Sequence, residues 1–395
     1  MTNIILKKDK EQSLKRFHLW LFSGAIQSVE GDDPQDGDIV DVYNSSKEFL
    51  ARGFCSLGSI AVRVLTFSKE EIDLSWWIGK INAAYQMRKA LELTNNQTTT
   101  CYRLVHGEGD FLPGLVVDIY DKVAVIQAHC TGIYIARDTI AQAIKDVMQD
   151  KIEAVYDKSR GTMPSAAEMD VQDGFILGES NTEAVVKENN LKFNVNWHEG
   201  QKTGFFIDQR DNRELVKRYA RGKRVLNTFC YTGGFSVYAL EGGAKEVVSV
   251  DSSSKAIELS CKNVELNFNA DAPHRGITID AFDYLKDLEN QKFDLIILDP
   301  PAFAKHQKAA QNALKGYKRI NLNAIKNIAP GGILFTFSCS QAIDKEQFRN
   351  AVFSAAAIAG RKVRILHFLS QAEDHPVNIY HPESEYLKGL VVYVE

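Results

Sequence analysis

The sequence predicts an α/β protein with a doubly wound, Rossmann-like C-terminal domain, an N-terminal small β-barrel and a mixed α/β middle domain. Beyond residue 190, short apolar segments alternate with amphipathic ones, as in parallel strands joined by crossover helices. Residues 294–298, DLIIL, are almost all apolar, as expected of a strand covered on both faces. The first 70 residues contain several short segments of alternating polarity separated by turn residues, which favours a barrel.

The order of elements follows from the hydrophobic periodicity. N-terminal strands are predicted at residues 38–43, 48–55 and 60–67. In the middle part we predict helices 70–93 and 133–148, and strands 101–105, 115–119, 123–129 and 153–157. In the C-terminal part we predict strands 224–227, 246–251, 276–280, 294–298, 332–337 and 362–368, and helices 234–240, 254–268, 315–328 and 345–359. The predicted domains are residues 1–70, 71–190 and 191–395.

The composition is that of a globular protein and excludes several classes. Hydrophobic residues make up 45% and charged residues 25% of the 395 residues, which argues against a disordered chain. No apolar run approaches the roughly 18 residues that span a bilayer, and the charged N-terminus is unlike a signal peptide. The formal net charge is −4, so nucleic-acid binding would depend on local basic patches. We expect a cytoplasmic protein without a membrane segment.

The six cysteines are scattered and form no Cys-x-x-Cys pair, which favours reduced thiols over disulfides or a zinc site. We therefore expect no bound metal. Cys55, Cys101, Cys130 and Cys261 are interpreted as small buried hydrophobic residues. Cys230 lies in a glycine-containing loop and is interpreted as lining a ligand site.

Polar and glycine residues follow three strands of the predicted C-terminal sheet, at the edge where ligands bind in such folds. Gly233 and Gly234 allow a tight turn, and Asp251 can accept hydrogen bonds from two ribose hydroxyls. Asp280 is placed to meet an adenine. A dinucleotide would require Gly-x-Gly-x-x-Gly, and here Gly233-Gly234 is followed by Phe235. The looser loop suits S-adenosylmethionine, which has no phosphate; a purely structural turn is the alternative.

The fourth strand is followed by Asp299, Pro300, Pro301, Ala302 and Phe303. The two prolines stop the strand and stiffen the loop, so that the Asp299 carboxylate is held at the ligand edge and can bind the edge of a base. A rigid turn with a helix-capping aspartate is the alternative. The predicted cofactor-binding residues are Asn227, Phe229, Tyr231, Thr232, Gly233, Asp251, Ser252, Asp280, Ala281 and Asp299.

Cys339 follows the fifth strand, where an apolar segment passes into a polar loop at the same sheet edge. A thiolate at this place can add to an electron-poor ring carbon. Free cysteine titrates near pH ~8.5, so a lowered pKa or a nearby acid would be needed for activation. A lone cysteine is usually only a small buried hydrophobic residue, but the position of Cys339 favours a function.

Six segments together resemble one family, the bacterial 23S rRNA cytosine-5 methyltransferases with an N-terminal PUA domain. The segments are 17–26 (FHLWLFSGAI), 108–118 (EGDFLPGLVVD), 201–210 (QKTGFFIDQR), 227–235 (NTFCYTGGF), 299–303 (DPPAF) and 338–341 (SCSQ). The resemblance covers essentially the whole chain, and the combination is specific although each motif alone is not. It implies a class I S-adenosylmethionine-dependent enzyme that binds RNA.

The resemblance also implies a reaction. Cys339 would attack carbon 6 of cytosine, carbon 5 would take the methyl group, and Asp299 would hold the polar edge of the ring as charge develops. Related enzymes often carry a second cysteine after the Asp-x-Pro loop, where this chain has Ala302, which leaves the proton acceptor unidentified. Asn227 stands where many methyltransferases have an acid, and its amide oxygen could still reach the methionine amino group.

The predicted substrate-binding residues are Phe206, Arg210, Pro300, Pro301 and Phe303. Residues 201–210 are expected to fold over the active site. Phe206 would stack on a base or on adenine, and Arg210 would bind a phosphate. Phe205 is interpreted either in the same way or as a core residue. Further phosphate contacts are possible from a basic run, which is more simply explained as a solvated helix face. The run comprises Arg213, Lys217, Arg218, Arg221, Lys223 and Arg224.

Two alternatives to carbon-5 methylation remain open. Enzymes that methylate an exocyclic nitrogen use an (Asp/Asn)-Pro-Pro-aromatic loop, whereas here Ala302 occupies the aromatic position and Phe303 follows it. The other alternative is an RNA-binding assembly factor that retains the fold without turnover. Cys339 favours carbon-5 chemistry over the first alternative, and Asp251, Asp280, Asp299 and Cys339 together argue against the second. The oligomeric state is open, and a homodimer is one expectation.

Overall fold

The computed structural model describes residues 2–164, 169–269, 271–288, 292–304 and 306–395. The chain divides into two compact units, which are described separately. Unit 1 comprises Met1–Val186, Val195–Ile207 and Glu373–Ser384. Unit 2 comprises Lys187–Asn194, Asp208–Ala372 and Glu385–Glu395.

Unit 1 begins with a six-stranded sheet of order β2-β6-β5-β4-β1-β3. Its elements are β1 (Thr2–Leu6), α1 (Gln12–Lys15), β2 (Trp20–Phe22), β3 (Ile26–Glu30), β4 (Ile39–Tyr43), β5 (Phe49–Cys55) and β6 (Ile60–Thr66). Strands β4, β5 and β6 were predicted within one residue at each end. The sequence analysis missed β1, β2 and β3, which are short, and β3 is almost wholly exposed and so lacks an apolar pattern.

Unit 1 continues with a five-stranded sheet of order β11-β10-β9-β8-β7. Its elements are α2 (Leu74–Ala90), β7 (Cys101–His106), β8 (Leu115–Tyr120), β9 (Val123–Ala128), α3 (Thr131–Ile135), α4 (Arg137–Met148), β10 (Ala154–Asp157) and β11 (Gly174–Leu177). Residues of α2 and α4, such as Ile81 and Ile144, pack with sheet residues in one core. The single predicted helix 133–148 is wrong, because the chain changes direction at Ala136 (ψ −2°) between α3 and α4.

A two-stranded sheet follows in the chain, formed by β12 (Glu183–Glu188) and β13 (Leu191–Asn196). The elements of unit 2 follow in helix–strand alternation. They are α5 (Arg210–Tyr219), β14 (Arg224–Thr228), α6 (Gly234–Glu241), β15 (Glu246–Asp251), α7 (Ser254–Asn267), β16 (His274–Thr278), α8 (Ala281–Lys286), β17 (Leu295–Leu298), α9 (Ala310–Asn327), β18 (Gly332–Ser338), α10 (Lys345–Ala359), β19 (Val363–Leu369) and β20 (Lys388–Val394).

The sheet of unit 2 has seven strands in the order β16-β15-β14-β17-β18-β20-β19. Its first five strands are parallel, and β20 runs antiparallel to both β18 and β19. This confirms the predicted doubly wound α/β fold. The direction of strand addition reverses at β14, which pairs with β15 on one side and β17 on the other. Ligands of such sheets bind beyond the carboxyl ends of the strands at this reversal.

Buried apolar strands position this edge. Leu295–Leu298 is entirely buried, as the sequence predicted for a strand that is covered on both faces. The predicted strand 276–280 is displaced, because β16 ends at Thr278 and Asp280 already caps helix α8. The Asp280 carboxylate accepts hydrogen bonds from the amides of Phe282 (2.8 Å) and Asp283 (3.3 Å).

Candidate active site

The candidate site lies at the carboxyl edge of the unit 2 sheet. The residues predicted from sequence follow five neighbouring parallel strands: the loop 229–233 after β14, Asp251 at the end of β15, Asp280 after β16, Asp299 after β17 and Cys339 after β18. Because the five strands are parallel, all of these positions are at one edge of the sheet. The structure thus brings the main candidates to the same side of unit 2.

The loop 229–233 after β14, here called the cofactor loop, has an unusual backbone. Phe229, Tyr231 and Gly233 have positive φ values of 55°, 47° and 78°. The first two are uncommon for residues with a side chain and cost energy that the surroundings must supply. A Cβ atom on Gly233 would lie 2.3 Å from the Ser260 hydroxyl oxygen. The glycine is therefore required both by its conformation and by close packing on α7.

Asp251 is oriented by this loop. Its Oδ2 accepts a hydrogen bond from the Tyr231 amide at 3.0 Å, and its Oδ1 accepts one from the Ser253 amide at 2.9 Å. A carboxylate offers about four acceptor sites, so two backbone bonds leave capacity for a ligand. The arrangement holds the carboxylate in one orientation and suits the recognition of a pair of hydroxyl groups.

Asn227 is fully buried and carries an acceptor without a partner. Its Nδ2 donates to the Ser236 hydroxyl at 2.8 Å, whereas Oδ1 has no hydrogen-bond partner among the described residues. An unpaired buried acceptor costs roughly 1–3 kcal/mol. An ammonium group of a ligand would satisfy it, so the residues present fit the methionine end of S-adenosylmethionine.

The other predicted cofactor residues differ in environment. Thr232 is buried, and its carbonyl accepts a hydrogen bond from Asn263 Nδ2 at 2.8 Å. Ala281 is buried and Ser252 is exposed. The Phe229 ring packs against Phe282 with centroids 6.4 Å apart. Cofactor contacts from these residues, and from Asp280 beyond its capping bonds, stay predictions.

Asp299 does not stand at the N-cap of the next helical turn in the described part of the chain, because His306 occupies that position, without a side-chain capping bond. The helix-capping part of the alternative is therefore not supported. The Asp299 Oδ2 accepts a hydrogen bond from Gln209 Nε2 at 3.0 Å, and the amide oxygen of Gln209 in turn accepts one from Asn212 Nδ2 at 2.6 Å. Gln209 is itself buried. These bonds fix the carboxylate at the sheet edge, and the sequence analysis did not single out Gln209 or Asn212.

The loop after Asp299 is tied to the end of β18. Pro300 is buried and Pro301 is exposed. The Ser340 hydroxyl accepts a hydrogen bond from the Ala304 amide at 3.2 Å and lies 2.8 Å from the Tyr317 hydroxyl. The Phe303 ring packs on Tyr317, with centroids 4.6 Å apart. Phe303 is thus engaged with the core of unit 2, and its predicted substrate contact would have to come from the exposed remainder of the ring.

Cys339 is half-buried, and its Sγ lies 3.9 Å from the carbonyl oxygen of Pro300. The thiol and the Asp299–Pro300 loop are therefore adjacent, as the sequence analysis expected from the positions of the strands.

Lys388 was not singled out from the sequence. It is 6% exposed, and its Nζ donates to the carbonyl of Ser340, the residue after Cys339, at 2.8 Å. Burial lowers the pKa of Lys388 to about 8, and Cys339 lies near enough to favour the charged lysine. The signal available in the sequence was a single lysine shortly before the apolar segment LVVYV. The sequence analysis had not recognised this segment as a strand, β20.

Four further cysteines have surroundings that suppress the thiolate. Burial and the neighbouring Asp251 raise the pKa of the Cys230 thiol far above its usual value. Burial likewise raises the pKa of Cys55, Cys130 and Cys261. This agrees with the interpretation of Cys55, Cys130 and Cys261 as packing residues.

Several basic residues considered for phosphate contacts form ion pairs within unit 2. Arg213 is buried and binds the Glu188 carboxylate through two hydrogen bonds of 2.8 and 2.6 Å, so neither the phosphate contact nor the favoured solvated helix face applies to it. Arg210 is buried with its Nε 3.7 Å from Glu188, which argues against a phosphate contact there as well. Arg224 pairs with Glu246 at 2.7 Å.

Residues 201–207 belong to unit 1. Phe205 is 3% exposed, which supports the core interpretation over stacking on a ligand. Phe206 is half-buried, and the Lys202 ammonium lies 4.5 Å from its ring centroid. Its predicted contact with a base stays a prediction. Among the described residues, none of the helices has the length and apolar character needed to cross a membrane.

Comparison with known proteins agrees with this geometry. Residues 158–392 match the family described as S-adenosylmethionine-dependent methyltransferase, and residues 4–67 match the PUA-like domain. "Ribosomal RNA large subunit methyltransferase I" of Aeromonas hydrophila is 44% identical over 99% of this chain and 98% of its own length. A candidate SAM-dependent methyltransferase from Streptococcus mutans has a TM-score of 0.85 at 26% identity, over 100% of both chains. A candidate methyltransferase complexed with SAH gives 0.86 at 26% identity, again over 100% of both.

The fold and the cofactor loop thus define an S-adenosylmethionine-dependent methyltransferase with an N-terminal PUA-like domain. The extent of the similarity allows a narrower statement. The chain belongs to the family of ribosomal RNA large subunit methyltransferase I.

Proposed function

We propose that this enzyme transfers a methyl group from S-adenosylmethionine to carbon 5 of a cytosine in 23S rRNA, through a covalent adduct between Cys339 and carbon 6. The observation that carries the proposal is the half-buried Cys339 thiol, adjacent to the Asp299–Pro300 loop and to the buried Lys388. The names of the relatives support ribosomal RNA as the substrate class.

Bound S-adenosylmethionine would supply an electrophilic methyl group. The residues proposed to hold it are Asn227, whose unpaired Oδ1 suits the amino group, and Asp251, whose oriented carboxylate suits the ribose. The cofactor loop would enclose the ligand with its backbone. The remaining predicted residues, including Ser252, Asp280 and Ala281, complete the proposed pocket.

The protein's own part in the reaction begins with the thiolate of Cys339. Its sulfur forms a bond to carbon 6, and the electron pair of the 5,6 double bond moves to carbon 5. Carbon 5 would then form a bond to the methyl group while the bond from that methyl group to the cofactor's sulfur breaks, with S-adenosylhomocysteine as the leaving group. Removal of the carbon-5 proton then restores the double bond and expels the Cys339 thiolate. Asp299, held by Gln209, would bind the polar edge of the ring while charge develops.

Lys388 favours the first of these steps. A cation beside a thiol lowers the pKa of the thiol and increases its thiolate fraction. The lysine is held by the Ser340 carbonyl, directly after Cys339 in the chain. It is a positioning and electrostatic group in this scheme, and the acceptor of the carbon-5 proton is left open.

A cytosine within folded RNA must leave its base stack to enter such a site, so the protein has to bind the surrounding RNA. We propose that residues 1–70, a PUA-like RNA-binding domain, and residues 71–190 bind this RNA, and that residues 191–395 carry out the methyl transfer. The proposal places the enzyme in the cytoplasm. A homodimer stays a prediction.

The experiment is incubation of the purified protein with methyl-labelled cofactor and rRNA that lacks its native modifications, followed by digestion to nucleosides. Labelled 5-methylcytidine is expected. A labelled N-methyl nucleoside would contradict the Cys339 chemistry and support the exocyclic-nitrogen alternative. Absence of label on naked rRNA, on ribosomal subunits and on whole particles, despite cofactor binding, would contradict catalysis and favour the assembly factor.

A further inference from the structure

Three potential metal ligands converge within unit 1. His18 lies between α1 and β2, whereas His381 and Glu383 belong to the segment Glu373–Ser384. The Glu383 carboxylate oxygen Oε2 lies 3.4 Å from His18 Nε2 and 3.8 Å from His381 Nε2. One ligand atom from each of the three residues lies within 4.8 Å of the others.

His381 is the most unusual member of this cluster. It is fully buried, and neither of its ring nitrogens has a hydrogen-bond partner among the described residues. Its ring lies against Trp20 and His18, with centroids 4.4 and 4.5 Å away. A buried imidazole that makes no hydrogen bond carries an uncompensated desolvation cost, so a ligand for its nitrogen is expected.

His18 can present a metal-binding nitrogen in one of its two tautomers. Its Nδ1 lies 3.1 Å from the backbone carbonyl of Trp20 and 3.2 Å from the Trp20 amide nitrogen, so it can either donate to the carbonyl or accept from the amide. In the tautomer that donates to the carbonyl, the lone pair is on Nε2, the nitrogen that faces Glu383. A backbone bond at one ring nitrogen with the other nitrogen left to coordinate is the usual pattern around a metal.

We propose that His18, His381 and Glu383 bind one zinc ion. Zinc–nitrogen and zinc–oxygen bonds of about 2.0–2.2 Å in a tetrahedral arrangement separate ligand atoms by roughly 3.3–3.5 Å. The two distances to Glu383 are close to this spacing, and small side-chain adjustments would complete it. Glu383 is 44% exposed, which provides a path for entry and room for water as the fourth ligand.

The ion would fasten the segment Glu373–Ser384 to the N-terminal sheet of unit 1. That segment is already attached to the loop between β7 and β8 by Asn378, whose Nδ2 donates to the Glu108 carbonyl at 3.0 Å. Simple ion pairs of Glu383 with His18 and His381 are the competing explanation, but they leave both ring nitrogens of His381 without a hydrogen bond among the described residues. The sequence analysis expected no bound metal and did not indicate this site, because His18 and His381 are at opposite ends of the chain.

The test uses the full-length protein without an affinity tag, freed of metal by a chelator. Titration with Zn²⁺ should bind one ion per chain and raise the melting temperature by several degrees. Co²⁺ in its place should give the visible absorption of a four-coordinate ion. Absence of binding below millimolar concentrations would overturn the proposal.

Variants of two proposed ligands distinguish zinc binding at this site from adventitious zinc binding elsewhere. Glu383→Gln retains the shape of an exposed side chain, and His381→Phe keeps an aromatic ring in the buried position. Each should weaken zinc binding by roughly a hundredfold or more. The matched control is His198→Gln, an exposed histidine of unit 1 that bonds to the Tyr156 hydroxyl. Equal affinity in all four proteins would also overturn the proposal. Glu383→Gln keeps the test valid if His381→Phe does not fold.

Discussion

Two cysteines follow parallel strands at the same edge of the unit 2 sheet, yet their surroundings are opposite. Cys230, after β14, is 6% exposed and lies near the carboxylate of Asp251, and both features raise its pKa. Cys339, after β18, is half-buried and lies near the buried ammonium of Lys388. Position at the ligand edge is therefore not sufficient for a nucleophile, because the charge beside the sulfur decides how readily it ionises.

The loops after β14 and β17 also differ in the interactions that hold them in place. The cofactor loop is fixed by positive φ values, by close packing of Gly233 on Ser260 and by its bonds to Asp251. The loop after β17 is fixed by side chains, through Gln209 on Asp299 and through Ser340 on Ala304. We interpret the first as a rigid binding surface and the second as the region in which side chains act on the substrate.

Replacing Cys339 and Cys230 one at a time should give the largest difference in methylation rate between the two loops. Cys339→Ala should lower the rate of carbon-5 methylation by roughly a thousandfold or more, because the covalent step is lost. Cys230→Ala should retain most of the rate, since its thiol has no part in the reaction. Single-turnover methylation of unmodified rRNA measures both, and SAH binding by calorimetry serves as the control for folding. An active Cys339→Ala protein would remove the cysteine from the mechanism.

Loss of the oriented carboxylate in the cofactor loop should have the next largest effect. Asp251→Ala removes the acceptor proposed for the ribose and releases the amides of Tyr231 and Ser253. The affinity for SAH should fall by about tenfold to a hundredfold, as expected for a lost charged hydrogen bond. Calorimetric titration measures it, with the exposed Asp271→Ala as the matched control. Unchanged affinity would show that the loop does not bind the ribose.

Removal of the cation beside Cys339 should have a smaller, pH-dependent effect. In Lys388→Met the thiol loses its favourable neighbour, so the acidic limb of the rate profile should move up by about one pH unit and the rate at neutral pH should fall about tenfold. Lys388→Arg, which retains the charge, should restore much of the rate. The control is Lys345→Met, a nearby lysine whose side chain is 59% exposed. Equal loss at every pH would indicate a merely structural role.

The same lysine predicts a change in stability with pH. Its pKa is lowered from 10.5 to about 8 in the folded protein, so unfolding takes up a proton between these values. Stability should therefore rise with pH across that window, since the unfolded chain binds more protons. Denaturant titrations at several pH values measure it, and the rise should be smaller in Lys388→Met. A rise of equal size in the variant would assign the effect to other groups.

The sequence was most informative where the apolar pattern of a strand and the position of a polar residue at its carboxyl end pointed to the same site. Most of the parallel strands of unit 2 are largely apolar segments, so their positions along the chain and residues at their carboxyl ends could be predicted, including Asp251, Asp299 and Cys339. The antiparallel β20 was missed although it is apolar, and with it Lys388, because pairing between distant strands leaves no local pattern.

Side-chain partners were the least predictable part. Arg213 belongs to a run of basic residues that resembles a solvated surface, yet it is buried on Glu188 from a different part of the chain. Asp280 and Asp299 both follow strands, and only the structure shows that Asp280 is the one that caps a helix. Such distinctions depend on contacts between residues far apart in sequence, which a pattern in one segment does not encode.

The most direct test of Cys339 as the nucleophile is to offer the enzyme and its cofactor an rRNA in which cytidine is replaced by 5-fluorocytidine. Fluorine on carbon 5 cannot leave as a cation, so the adduct at carbon 6 should persist after methyl transfer. We predict a protein–RNA complex that survives denaturation and, after digestion, a nucleotide on the peptide that contains Cys339. Carbon-5 methylation of ordinary rRNA without any such complex, or with the nucleotide on another residue, would contradict the mechanism.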